Sequence, residues 1–298
     1  MSVVGAKYPL LAHYKIVMVL GGSMNFCPYL GKKVHSDSCS SEHIIPLSLG
    51  GVNGFEIPVD AGVNKIIGSR IDGKLSNDFM IQLARARLDV KGHSGKSVTP
   101  KISKATNIDQ GKPISVTFPD NKLCAYDHRQ KSNVFPGKIK LSAKKDLFVD
   151  VKFIAKVALS AGYYFWSDDF ESAVSCDQLR HMLLHDNLNG WDSKENFSVK
   201  FETLVLNNNS FLIHFLPAIH DHFPDETTIA FVPAYEKSRL LVSVSVLGVY
   251  LGYLHVHMDA EKVDIDNGFI ASLSKGEVLI NHFDHETKRT ITNCSTVT

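Results

Sequence analysis

The spacing of apolar residues changes along this chain, and the changes mark its elements. Phe79, Met80, Leu83 and Ala84 recur at helical spacing, which predicts a helix to about Leu88 with Ser76 or Asn77 as its cap. Asp60 is placed to cap a shorter helix running to about Ile67. Upstream, residues 25–59 read as a hairpin, with Asn53-Gly54 as a turn signal. In residues 93–146, Pro100, Pro113, Pro119 and Pro136 break a lysine-rich stretch into short strands and turns, and Val116 and Phe118 alternate as on an edge strand. An apolar run over 147–166, interrupted by Lys152 and Lys156, predicts a buried helix, and residues 176–185 a shorter one. Phe201/Thr203/Val205, Phe211/Ile213/Phe215 and the run 241–250 then suggest an antiparallel meander. Residues 1–24 form an expected N-terminal arm, and the polar tail after Asp284 is expected to fray. There is no internal repeat.

These patterns predict an α+β protein in three regions: 1–95 with the arm, a basic connector or insertion at 96–146, and an α+β accessory region at 147–298. A chain of 298 residues with 44% hydrophobic and 21% charged residues is ordinary for a globular protein, and its core needs no disulfide staples. Five scattered cysteines, an odd number, point to a reducing cytoplasm. The run Ile16-Val17-Met18-Val19-Leu20 is too short to span a bilayer; it reads as a buried element in preference to a signal peptide, and no membrane association is expected.

The net charge of +1 hides an asymmetry. Residues 1–145 carry 21 Lys/Arg against 10 Asp/Glu, a net +11, and residues 146–298 carry 11 against 21, a net −10. A basic half suits a polyanion such as double-stranded DNA. Internal pairing of the two halves would produce the same imbalance.

Candidate chemistry concentrates in the basic half. Glu42 directly precedes His43, followed by Ile44-Ile45-Pro46 and the Gly50-Gly51 turn, with Asn64 further on. A carboxylate and an Asn carbonyl are oxygen ligands for a hard divalent cation, and an imidazole is a general base that titrates near neutrality. Neighbours on a strand point to opposite faces, so both can serve one site only if the backbone bends there. A capping carboxylate beside a structural histidine would leave the same residues.

Glu42-His43-Ile44-Ile45-Pro46, with Gly50-Gly51, resembles the start of an HNH endonuclease motif, of the His-Me finger or ββα-metal class. Val63-Asn64-Lys65-Ile66-Ile67-Gly68-Ser69-Arg70-Ile71-Asp72 is similar to the segment on the helix that closes such sites. Ser76-Asn77-Asp78-Phe79, Arg85-Ala86-Arg87-Leu88 and Gly92-His93-Ser94-Gly95 resemble the stretch C-terminal to that helix in a longer bacterial subgroup. The resemblance implies a ββα-metal core in which His43 activates water while Glu42 and Asn64 hold one Mg²⁺ or Mn²⁺ against the scissile phosphate. Lys65, Arg70, Arg85 and Arg87, with Lys138 and Lys140 of the basic stretch, are the expected DNA contacts. Two departures stand out. The cysteines Cys27, Cys39, Cys124, Cys176 and Cys294 do not form the paired clamp of zinc-bearing relatives, and Val63 stands where a cysteine often precedes the Asn, so no structural zinc is expected. Phe55 occupies the usual place of the middle Asn, with Asn53 the nearest substitute.

Other constellations carry less. His220-x-His222 and His255-x-His257 would each share a strand face and could bind zinc, or be ordinary histidines. His35 is a surface histidine or a substitute ligand. Gly92–Gly95 is a phosphate-cradling turn or a helix stop. Tyr163, Tyr164, Phe165 and Trp166 stack on bases or belong to the core. The expectation is thus a cytoplasmic, metal-dependent DNA endonuclease, a nicking enzyme of restriction or anti-phage defence whose acidic half binds protein partners. The alternative is a nucleic-acid-binding module with little cleavage.

Overall fold

The computed structural model describes residues 23–92, 94–119, 122–135, 137–185, 200–202, 211–234, 238–259, 261–263, 268–283 and 290–291. The expected N-terminal arm up to residue 22, most of the polar tail, and Cys294 lie outside these residues.

The chain opens with β1 (Met24–Cys27) and β2 (Lys32–His35), then β3 (Cys39–His43) and β4 (Glu56–Asp60), followed by α1 (Ala61–Ile67), a π-helical turn at Gly68–Asp72, α2 (Gly73–Ser76) and α3 (Phe79–Arg87). The expected single hairpin over 25–59 is two antiparallel pairs, β1–β2 and β3–β4. Asp60 caps α1 as anticipated, its carboxylate accepting from Val63 N at 3.0 Å. The next helix is capped by Asp78, not by Ser76 or Asn77, because α2 runs on through Ser76. Asp78 Oδ1 accepts from Met80 N and Ile81 N.

A five-stranded antiparallel sheet comes next, from β5 (Lys101–Asn107), β6 (Lys112–Thr117), β7 (Cys124–Asp127), β8 (Ser132–Val134) and β9 (Ile139–Leu141), ordered β8-β7-β6-β5-β9. β6 is its central strand, so Val116 is not on an edge: it packs with Ile102, Ala105, Ile114 and Ala125 in a small separate core.

The long helix α4 (Leu147–Ala173) is the spine of the molecule. It extends beyond the predicted 147–166, with a break at Ser167 (φ 51°) that folds the Phe170 ring back onto Gly162. Its residues 153–162 are all buried, and α5 (Cys176–Leu184) packs beside it. β10 (Lys200–Glu202), α6 (Phe211–Asp221), β11 (Thr227–Pro233), β12 (Arg239–Val246), β13 (Val249–His257), β14 (Phe269–Ser274), β15 (Glu277–Phe283) and β16 (Thr290–Ile291) complete the chain. The strands form one antiparallel sheet ordered β10-β13-β12-β11-β14-β15-β16. Two expectations change here. Residues 211–215 open a helix and are not a strand, and 241–250 is two strands reversing at Leu247-Gly248, both at positive φ.

One apolar cluster runs from Cys27, Ile44 and Leu75 through α4 to β11–β15. The N-terminal strands and the C-terminal sheet therefore share a core across α4, and the architecture is α+β. Tyr163, Tyr164, Phe165 and Trp166 pack against this core. Among the described residues, no helix is long and apolar enough to cross a membrane.

Candidate functional site

β3, β4 and α1 follow one another as two antiparallel strands and a helix, and α1 packs on both strands. Pairing continues past β3 through Ile44 N to Phe55 O at 3.1 Å. The chain then turns through Pro46–Gly51. This turn is tied to the C-terminal sheet, because the buried Thr227 hydroxyl donates to Leu49 O at 2.6 Å. Gly51 is required where it stands: a Cβ there would lie 1.8 Å from Ile45 O.

β3 keeps its alternation through Glu42 and His43, without the bend that would bring both to one face. Glu42 turns inward and His43 is half-buried on the other side. His43 pairs in register with Glu56. Its Nε2 lies 3.1 Å from Glu56 Oε1, and Glu56 Oε2 accepts a short hydrogen bond from Ser41 Oγ. Ser41, Glu56 and His43 thus form a hydroxyl–carboxylate–imidazole chain at a partly accessible strand end. Glu56 was not anticipated; the register that sets it opposite His43 is what would have revealed it.

Glu42 faces a different environment. Its Oε1 lies 2.5 Å from Nζ of Lys156, a fully buried residue of α4. The same ammonium donates to Asp72 Oδ2 at 2.9 Å and to His43 O at 3.4 Å. Burial opposes charge on Lys156, but the Asp72 and Glu42 carboxylates outweigh it and hold the ammonium above its ordinary range. Burial pushes the Glu42 carboxyl up, against the downward pull of Lys156. These two directions agree: Lys156 stays charged between two carboxylates, while burial, with the neighbouring Asp72 adding to it, outweighs the pull of that one ammonium on Glu42. The Tyr29 phenol, also buried, is raised by burial and then by Glu42 and Asp72.

Asn64 reaches β3 from α1, its Nδ2 donating to Ser40 Oγ at 2.9 Å and to Ser41 O at 3.4 Å. Glu42 as placed here does not fit a divalent ion, because the buried Lys156 ammonium already stands against its carboxylate. The Asn64 bonds are made by Nδ2 and do not engage its carbonyl oxygen, the atom a metal would use. Among the described residues, no three His, Cys, Asp or Glu side chains gather as a metal group. Cys27 Sγ accepts from Asp60 N, and Cys39 Sγ donates to His35 O at the exposed end of β2.

The expected DNA contacts separate into groups. Lys65 and Arg70 are exposed on α1 and the π-helical turn beside the hairpin, and Lys138 and Lys140 are exposed at β9. Arg85 is a correction: it is 9% exposed, reaches towards Ser76 O, and burial lowers its pKa, so it serves packing and not phosphate. Arg87 pairs with Asp225 at 2.8 Å, and Lys145 with the buried Asp150 at 3.0 Å. Part of the basic excess is therefore neutralised by acids of the C-terminal half. His220 lies in α6, not on a strand, so it does not share a face with His222. It is buried between the Thr228 and Ser243 hydroxyls, and burial lowers its pKa to about 3, which keeps it neutral. No family model, no curated protein and no solved structure matches this chain.

Proposed function

We propose that this protein is a DNA endonuclease in which His43 is the general base for phosphodiester hydrolysis. The observation that carries the reading is the Ser41–Glu56–His43 chain at a partly accessible strand end. His43 would take a proton from the attacking water, and the Glu56 carboxylate at 3.1 Å stabilises the imidazolium as it forms. Charge then builds on the phosphorus oxygens, and this reading requires a compensating cation there, for which the exposed Lys65 of α1 is the candidate. One such site per chain cuts one strand, so the product is a nick. A restriction or anti-phage role, with protein partners on the acidic half, extends the same proposal.

The Glu42–Lys156 pair favours a second reading, a nucleic-acid-binding module with little cleavage, because it occupies the carboxylate that a divalent ion would need. Supercoiled plasmid separates the two. Nicking that depends on His43 supports the nuclease, and binding without nicking supports the module.

A further inference from the structure

We infer that the Lys156 ammonium is the resident cation of the Glu42–Asp72 site and stands where a divalent ion would have to sit, so that these carboxylates take a metal only when Lys156 is removed. Three oxygens surround Nζ: Glu42 Oε1 at 2.5 Å, Asp72 Oδ2 at 2.9 Å and His43 O at 3.4 Å. Two carboxylates and a backbone carbonyl are the donor types a hard divalent cation selects. They come from β3 and the π-helical turn, whereas the cation comes from α4, far along the chain. The ammonium is completely buried, with the Phe153 ring 5.7 Å from Nζ, so solvent does not compete for it.

Charge explains why the two cations exclude each other. A divalent ion added beside the ammonium would set three positive charges against two carboxylates at a buried point, where repulsion is poorly screened. A divalent ion replacing it would set two against two. Donor capacity is also left over, since Asp72 Oδ1 is buried without a hydrogen-bond partner. Lys156→Ala removes the ammonium and its stem together, leaving space and an unbalanced acidic pair.

The inference rests on the placement of Glu42 and Asp72, and shares with the nuclease reading only His43, of which it uses the main-chain carbonyl and not the imidazole. The test is a Mn²⁺ titration, with free ion followed by electron paramagnetic resonance, on full-length wild type, Glu42→Gln, Lys156→Ala and the double variant. Wild type and Glu42→Gln are expected to bind Mn²⁺ alike. Lys156→Ala is expected to gain one site at least about tenfold tighter, lost again in the double variant. Weaker Mn²⁺ binding by Glu42→Gln than by wild type, by about tenfold, would overturn the inference. So would a folded Lys156→Ala that gains no site. If Lys156→Ala does not fold, Lys156→Ser takes its place in the same titration, and a folded Lys156→Ser that gains no site overturns the inference. Plasmid nicking in the same buffer reports on the nuclease reading separately, because Mn²⁺ affinity is read without turnover.

Discussion

Replacing Lys156 by Met keeps most of the stem's volume and removes only the charge, which isolates what the ammonium does. In the wild type it sits between Glu42 and Asp72, whose side chains are 9% and 12% exposed. Without it, two carboxylates face each other with no counter-charge. Breaking a buried pair by removing one partner costs about 3–5 kcal/mol. At roughly 2–4 °C per kcal/mol this lowers Tm by roughly 6–20 °C. The loss should also depend on pH. Glu42 already has a raised carboxyl, and removing Lys156 raises it further. A group whose folded pKa is raised contributes stability that is present below its unfolded value and is lost as pH rises through the folded one. Lys156→Met should therefore be mildest near pH 4 and most damaging at pH 8. Lys156→Met/Glu42→Gln should regain part of the loss at pH 8, since one of the two charges is gone. Urea unfolding of wild type, the two single variants and the double variant at both pH values measures this. A loss under about 1 kcal/mol, or one equal at pH 4 and 8, would refute the reasoning that these charges depend on one another.

Three further outcomes are expected. Burial pushes Asp150 up to about 6 despite Lys145, so its ionisation costs the fold about 3 kcal/mol as pH rises from 4 to beyond 6. Asp150→Asn should flatten the stability–pH curve over that interval and raise stability at pH 8, as read by urea unfolding. Gly51→Ala should lower Tm more than Gly54→Ala, because its Cβ meets the Ile45 carbonyl whereas the Gly54 Cβ meets open space. Reversing charge at Lys138, Lys140 and Lys144 should flatten the salt dependence of DNA affinity by about 0.9 log units for each phosphate that is no longer engaged; an unchanged slope would place the DNA path elsewhere.

Much of the local structure near the site was legible because local chemistry decides it. Asp60 and the residues after it specify α1 by a cap and a short helical run. Ser76, Asn77 and Asp78 are all good caps, so the choice among them depended on the π-helical turn that carries the chain through α2. Phe211, Ile213 and Phe215 suggest a strand, but Phe211, Leu212, Phe215, Leu216 and Ile219 recur at the helical spacing that α6 adopts. The site was legible as a set of residues but not as an arrangement. Strand alternation did separate Glu42 from His43, yet their partners lie elsewhere in the chain: Glu56 is set by cross-strand register, and Lys156 lies in a helix read only as buried. A lysine in the middle of so apolar a run was the available signal, since a buried charge needs a partner. The basic excess was likewise visible, whereas its partial neutralisation by Asp150 and Asp225 was not.

The most direct measurement is the initial rate of nicking of supercoiled plasmid by wild type and His43→Ala, each with Mg²⁺, with Mn²⁺ and with chelator, alongside their DNA dissociation constants. His43→Ala is expected to lose about 10²–10⁴ in rate while its affinity for DNA is unchanged. Equal nicking by the two proteins would contradict His43 as the general base, and DNA binding with no nicking by the wild type under any condition would contradict the endonuclease itself.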